Sequence, residues 1–269
     1  MKISIRSMAK QFPLAAVAAL AAALVIGVPL YTATLSAAAP PPKAELDADT
    51  IEYDSTQGVV TAEGHVRLAR DKAVLTGSAG EYNVKTGVGT VSGGVRLTNE
   101  GAEMTAAIAR ALGGDLFEAE GNVVLTKEAT KITGPRAKYD AGRQYAIMTG
   151  GATLSDPDGT LTADQVEAFF DEDRAVATGN VHIVSPPRKL DAVSDTAVYY
   201  MKRPSDPARR ERMVLTGHAS VVQDNNVVTG DRVTVYLDDK AMNASGQSKL
   251  VVKPAPAPAP APAPSKAGH

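Results

Sequence analysis

Chemistry on this 269-residue chain would have to come from four histidines, its carboxylates and a short run of arginines, because it has no cysteine. The missing thiol excludes a disulfide scaffold, a thiolate metal site and a cysteine nucleophile. The histidines are His65, His182, His218 and His269. His65 and His218 each follow a glycine, and Asn122, Asn180 and Gln247 fill the same position elsewhere in the chain. A residue that exchanges with Asn and Gln within one sequence serves the backbone rather than a reaction. Asp49, Asp164, Asp195 and Asp231 recur in the same way and read as turn or strand-end residues bonding local backbone. Asp156, Asp158 and Glu167 stand at positions 1, 3 and 12 of a calcium-type loop. Position 6, which needs Gly, is Leu161, and no helical pattern flanks the loop, so it reads as a turn. Arg209, Arg210 and Arg212 either meet phosphate groups or belong to a solvated loop. No Ser-His-Asp or paired-carboxylate arrangement stands out. The expectation is therefore a protein with no catalytic residue, no metal and no cofactor.

Composition narrows the partners. Lysine and arginine number 28 against 30 aspartates and glutamates, without the basic excess of a nucleic-acid binder. Only 4% of residues are aromatic, with eight Tyr, four Phe and no Trp. Few side chains can therefore carry a large buried surface.

The elements that would position these residues come from a repeat. Seven segments share a glycine followed by an alternating apolar run: EGHVRL at Gly64, SGGVRL at Gly93, EGNVVL at Gly121, TGGATL at Gly150, TGNVHI at Gly179, TGHASV at Gly217 and SGQSKL at Gly246. The spacings are 29, 28, 29, 29, 38 and 29 residues. The longer one is assigned to an insertion at Lys202–Arg212, a polar surface loop. Midway between glycines lie LDADTIEY, LTADQVEAFF, VSDTAVYY and VTGDRVTVYL, with looser versions in LTGSAGEY and ITGPRAKY. Period-two alternation bounded by Gly, Asp and Asn predicts about fourteen β-strands joined as hairpins. Ala102–Leu112 could pass for a helix, but it falls in phase with the repeat and is assigned as a strand.

Alternation places Val66, Leu68, Val95, Leu97, Val123, Leu125, Val181 and Ile183 on one face, together with Ile51, Tyr53, Leu154, Val166, Val233 and Val235. Arg67, Arg96 and His182 take the other face. The apolar face must be covered by another part of the same stack, as two facing sheets or one strongly bent sheet. A glycine once per repeat would crease every rung at the same place. Side chains this small suggest that the layers leave an apolar groove, roughly 65 Å long for fourteen strands at about 4.8 Å each. The first and last strands, near Leu46, Ile51 and Tyr53 and near Leu250, Val251 and Val252, would offer unpaired edges.

The ends read differently. Residues 1–38 carry Lys2, Arg6 and Lys10, an apolar stretch from Phe12 to Leu30, and the small-residue run Ser36–Ala39. That is the order of a secretory signal, with an uncleaved membrane anchor as the alternative. Residues 39–253 form the repeat domain. In the remainder, 254–269, Pro254 to Pro264 alternates Pro and Ala in an extended run, either a spacer or a tail without a specific role.

The paired Gly-[His/Asn]-Val-x-Leu and Ala-Asp-x-[Val/Ile]-x-x-[Tyr/Phe] strands, repeated over about residues 44–252, resemble the LptA/OstA family of periplasmic lipopolysaccharide-transport proteins. The resemblance implies an open β-jellyroll whose inward face, at the positions named above, holds the acyl chains of lipid A. It implies periplasmic location and a bridge from an inner-membrane ABC exporter complex to an outer-membrane translocon. LptC-like and LptD-like jellyroll modules would join at the edge strands, and the chain could also stack head to tail on itself. A membrane-anchored LptC-like component and a structural repeat protein with a packed interior are the alternatives.

Overall fold

The computed structural model describes residues 44–70, 72–99, 101–113, 115–202, 206, 210–237 and 241–252. The expectations for the signal segment and for the Pro-Ala tail fall outside these residues. The described chain forms one open antiparallel sheet of sixteen strand segments. They are β1 (Ala44–Asp47), β2 (Thr50–Asp54), β3 (Val59–Arg70), β4 (Ala73–Asn83), β5 (Val88–Asn99), β6 (Ala102–Leu112), β7 (Leu116–Lys127) and β8 (Thr130–Asp140). Then come β9 (Tyr145–Asp156), β10 (Gly159–Phe169), β11 (Arg174–Ser185), β12 (Leu190–Tyr200), β13 (Arg212–Gln223), β14 (Asn226–Tyr236), β15 (Met242–Ser245) and β16 (Lys249–Val251). Among the described residues the only helical element is a short 3-10 turn at Pro186–Arg188.

Each strand pairs with its neighbour in sequence. At the two ends β1 and β2 share β3, and β15 and β16 share β14. Each of those pairs is one rung broken at its middle, so the sixteen segments make the fourteen rungs expected from the repeat. Ala102–Leu112 is strand β6, as its phase requires. Asp54, Asn83, Asp140 and Asp156 end strands, and the Oδ1 of each accepts a hydrogen bond from a backbone N–H two or three residues on. This local closure is why Asp and Asn punctuate the hairpins.

The recurrent glycine is a crease. Pairing slips between Ser92 and Val95 on β5, and at the equivalent place on the other odd-numbered long strands. The two residues inside each slip both have positive φ, as at Gly93 (+81°) and Gly94 (+74°) or at Gly217 (+76°) and His218 (+47°). They form a two-residue bulge that bends the strand. The first site demands glycine for two reasons, its left-handed backbone and the side chain lying over it from the adjacent strand. A methyl group on Gly93 would sit 2.5 Å from Ser78 Cβ. The second site needs only tolerance of left-handed backbone, which Asn, His and Gln provide at positions 122, 180, 65, 218 and 247.

The aspartates differ from expectation. Asp164, Asp195 and Asp231 lie within β10, β12 and β14, not at turns, and each carboxylate covers the crease glycine of the next rung. Asp49 does the same across the break between β1 and β2. Asn180 Nδ2 donates to Asp164 Oδ2 at 2.9 Å, while His65 and His218 place Nδ1 at 2.8 and 2.9 Å from Asp49 and Asp195. The histidines thus latch neighbouring rungs across the bend.

The crease divides the sheet into two limbs. One contains the segments on the Val59–Glu63 side of the bulges, the other those on the Val66–Arg70 side. Inner side chains of both limbs join in one buried core. Arg67, Arg96 and His182 point outward and pair with Asp47, Glu103 and Asp191. The insertion lies between β12 and β13, with Arg212 already inside β13. Arg210 and Arg212 stack on the rings of Tyr236 and Tyr200 at 4.1 and 4.4 Å; Arg209 lies outside the described residues.

The crease makes a paired prediction for chemical denaturation. Gly93→Ala should cost about 1–3 kcal/mol through backbone strain and the Ser78 clash. Gly94→Asn, with open space around its Cβ and Asn at two equivalent positions, should stay within about 0.5 kcal/mol of the parent.

Candidate binding cavity

The limbs face each other, and side-chain size decides whether the space between them closes. Sheets packed face to face stand about 10 Å apart, so two opposed alanines cannot meet across the gap. Over the first rungs the inner face of the Val59 limb carries Val60, Ala62, Gly80, Gly89, Val91, Ala109 and Ala111. The opposite limb presents Leu46, Val66, Leu68, Leu75, Leu97 and Met104. Together these residues line a cavity of about 570 Å³, of the size of a small-molecule site. Tyr82 is the one large side chain on the glycine-rich wall, and it leans on Gly89: a methyl there would be 2.6 Å from Tyr82 Cδ2. The ring lies along the wall instead of across the space. Phe117 completes the lining at the β7 rung.

Charge gathers at the rim. Arg70, Lys85, Arg110, Glu81 and Glu118 contribute to the lining. Lys85 Nζ donates to the Thr56 carbonyl at 2.5 Å. Arg110 and Glu118 belong to an outer ladder in which Arg110 and Arg136 both bind Glu120, and Lys138 binds Glu118 at 3.2 Å. The hydrogen bond from Arg110, aided by its charge and by Arg136, holds the Glu120 carboxyl below the usual carboxylate range.

Beyond Phe117 the space is closed. Tyr139, Met148, Tyr199, Met213 and Leu215 project from the Val59 limb, against Ile132, Leu154, Leu161, Ile183 and Leu190 from the other, and all are buried. Tyr139 packs edge-on to Phe170 at 6.2 Å, and the Tyr199 hydroxyl donates to the Glu211 carboxylate. The groove expected along all fourteen rungs is thus corrected: among the described residues the open space belongs to β1 and β3–β7, and the inner face of β8–β14 is filled by the chain's own side chains.

Of the inward positions read from the sequence, Val66, Leu68 and Leu97 line the cavity, as does the edge residue Leu46. Val95 is buried on the same limb. Val123, Leu125, Leu154, Val166, Val181, Ile183, Val233 and Val235 are buried in the core. Ile51 and Tyr53 pair with Ala62 and Val60 and so share their inward face, but they are 47% and 60% exposed because β2 ends the stack. Leu250, Val251 and Val252 at the opposite edge are exposed. Sequence reasoning missed the glycine- and alanine-rich wall and Phe117. The signal was present in LTGSAGEY and GVGTV, where inward positions hold Gly in place of the bulky residues of later repeats.

The calcium-like segment is the β9–β10 hairpin. Asp156 Oδ1 accepts hydrogen bonds from the N–H groups of Asp158 and Gly159 at 2.8 and 2.9 Å. No cluster of three or more metal-ligating side chains occurs among the described residues. Burial pushes the Asp156 carboxyl above its ordinary value, against the pull of those two backbone bonds.

The family described as LptA/(LptD N-terminal domain) LPS transport protein matches residues 45–174 and, a second time, 159–241, which together exceed half of the chain. Among solved structures, the chain is similar to LptH from Pseudomonas aeruginosa, the LptA-homologous periplasmic component of its lipopolysaccharide transport device. Identity is 12%, the match covers 79% of this chain and 96% of that one, and the TM-score is 0.16. No curated protein matches.

Two outcomes follow from the packing. Leu161→Ala, in the closed core, should cost about 2–5 kcal/mol, whereas Leu68→Ala, already beside open space, should cost about 1 kcal/mol less than that range's midpoint or better. Because the folded state raises the Asp156 proton affinity, its contribution is greatest at acidic pH and is lost as pH rises through the raised value. Denaturation across that window should show wild type losing stability slightly relative to Asp156→Asn on approaching neutrality, a small effect because water screens the group.

Proposed function

The chain belongs to the LptA/(LptD N-terminal domain) family of LPS transport proteins, and from that premise we propose that it binds lipopolysaccharide by its acyl chains and passes it between jellyroll modules in the periplasm. The observation that carries this reading is the apolar cavity between the limbs, at the rungs nearest the β1–β2 edge. A hydrocarbon chain held there avoids water at about 0.8 kcal/mol per methylene. The glycolipid's charged head would remain outside, beside the Arg70 and Lys85 rim.

The β1–β2 end of the sheet, beside the cavity, supports the handover, and the β16 end offers a second edge where a module could dock. β2 and β16 are exposed throughout, and their apolar residues Ile51, Tyr53, Leu250 and Val251 stand in the open. An edge of this kind accepts another strand by β-augmentation. Partners with the same edge would be LptC-like and LptD-like modules or a second copy of this chain. Joining another module at β1–β2 would continue its inner face into the cavity. No covalent step is required of this protein; energy and direction would come from a partner ATPase.

Site-specific photocrosslinking to labelled lipopolysaccharide tests the reading. Leu68 and Leu97 should capture at least fivefold more lipid than outward Arg67 and Arg96. Equal capture on both faces, or none from Leu68 and Leu97, overturns it. For the edge, Val251→Pro should weaken end-to-end association at least tenfold, about 1.4 kcal/mol. Monomer stability should change by less than about 1 kcal/mol, since Val251 closes a three-residue end segment.

A further inference from the structure

The cavity has a wall at β7, where Phe117 lines it. Following one inner row across the rungs by register gives Tyr82, Gly89, Ala111, Phe117 and Tyr139. The Tyr82 ring lies flat over Gly89, where a methyl would come within 2.6 Å of it, and Ala111 adds only one methyl, so the cavity continues past both. The row beside it runs Ala109, Ala119, Ala137 at the same rungs, too short to bar the way. Phe117 is therefore the first large side chain on this wall after Tyr82. It lines the cavity while only 9% exposed. Behind it, Tyr139 is 2% exposed and fixed by Phe170 and by a 3.5 Å hydrogen bond from Gln144.

We propose that Phe117 is the end stop of the cavity and sets the length of the acyl chain it accepts. This rests on the acyl-binding reading above and adds a specificity-determining residue to it. A chain entering from the β1–β2 side fills the space beside Gly89 and Ala111 until its terminal methyl meets the Phe117 ring. Each further methylene then has no apolar place and remains in water. Affinity should rise about fourfold per methylene up to the limit, the equivalent of about 0.8 kcal/mol, and then level off. The contact is one of shape alone, so no proton or charge is involved and the limit should not move with pH.

The test uses the full chain and saturated fatty acids from octanoate to stearate, displacing the fluorescent probe 1-anilinonaphthalene-8-sulfonate. Wild type should show a plateau at an intermediate length. Phe117→Ala should move the plateau to longer chains, and Ala111→Leu, which adds bulk in open space just before the stop, should move it to shorter ones. Tyr139→Phe, which removes only a hydroxyl behind the wall, should leave it in place. If wild type displaces the probe but Ala111→Leu leaves its plateau unmoved, the end-stop assignment is wrong even if Phe117→Ala fails to fold. A plateau unchanged in a folded Phe117→Ala overturns it equally. If no fatty acid displaces the probe from wild type, the acyl-binding reading fails and the end stop falls with it.

Discussion

Everything in this molecule depends on one gap: the space between the limbs of a single sheet folded back on itself. Facing sheet layers stand about 10 Å apart away from a bend, and only side chains can fill the space between them. Where Tyr, Met and Leu project into it, the limbs form an ordinary close-packed interior. Where Gly89, Ala109 and Ala111 stand instead, atoms run out before the layers meet and a cavity remains. The same architecture thus gives two different interiors along one stack. The difference between them is a handful of methyl groups and rings, not a change of fold.

The gap exists because every rung bends at the same place. A left-handed pair of residues interrupts each odd-numbered long strand, and the bend is kept by a cross-strand neighbour laid over the glycine. At several rungs that neighbour is an aspartate, joined to Asn or His of the bulge. These are exposed contacts, each worth little in water. Their value lies in repetition, since a single straight rung would pull the two limbs out of register with those beside it. The broken first and last rungs follow the same rule, with Asp49 and Gly246–Gln247 at their breaks. The edges therefore present the same bent profile as the interior, which suits continuation by another module of like shape.

Much of this was legible in the sequence, for physical reasons that can be traced to particular residues. The repeat glycines gave the rung count and the crease, because backbone demands at a bulge restrict residue type strongly. Alternation of Val66, Leu68, Val95 and Leu97 assigned the inner face, because a strand has only two sides. Two things were not legible. Asp164, Asp195 and Asp231 looked like turn residues, since Asp bonds local backbone in turns; their partner is on the next strand, and cross-strand partners have no fixed sequence offset. The extent of the cavity was also hidden. Alternation says which side a residue faces but not whether the opposite side reaches it, so Leu68 beside open space and Ile183 in a closed core read alike. Counting side-chain volume in opposed rows would have separated them, and that count needs the register.

The central claim is that an acyl ligand occupies the first rungs and not the whole stack. Methyl NMR with a lipid carrying a nitroxide midway along its acyl chain, between the β1–β2 entry and the Phe117 stop, measures this directly. The account predicts strong broadening of the Val66, Leu68 and Leu97 methyl signals, with those of Ile183, Leu215 and Val233 left sharp. Broadening spread evenly along the stack, or confined to outward-facing methyls, would contradict it.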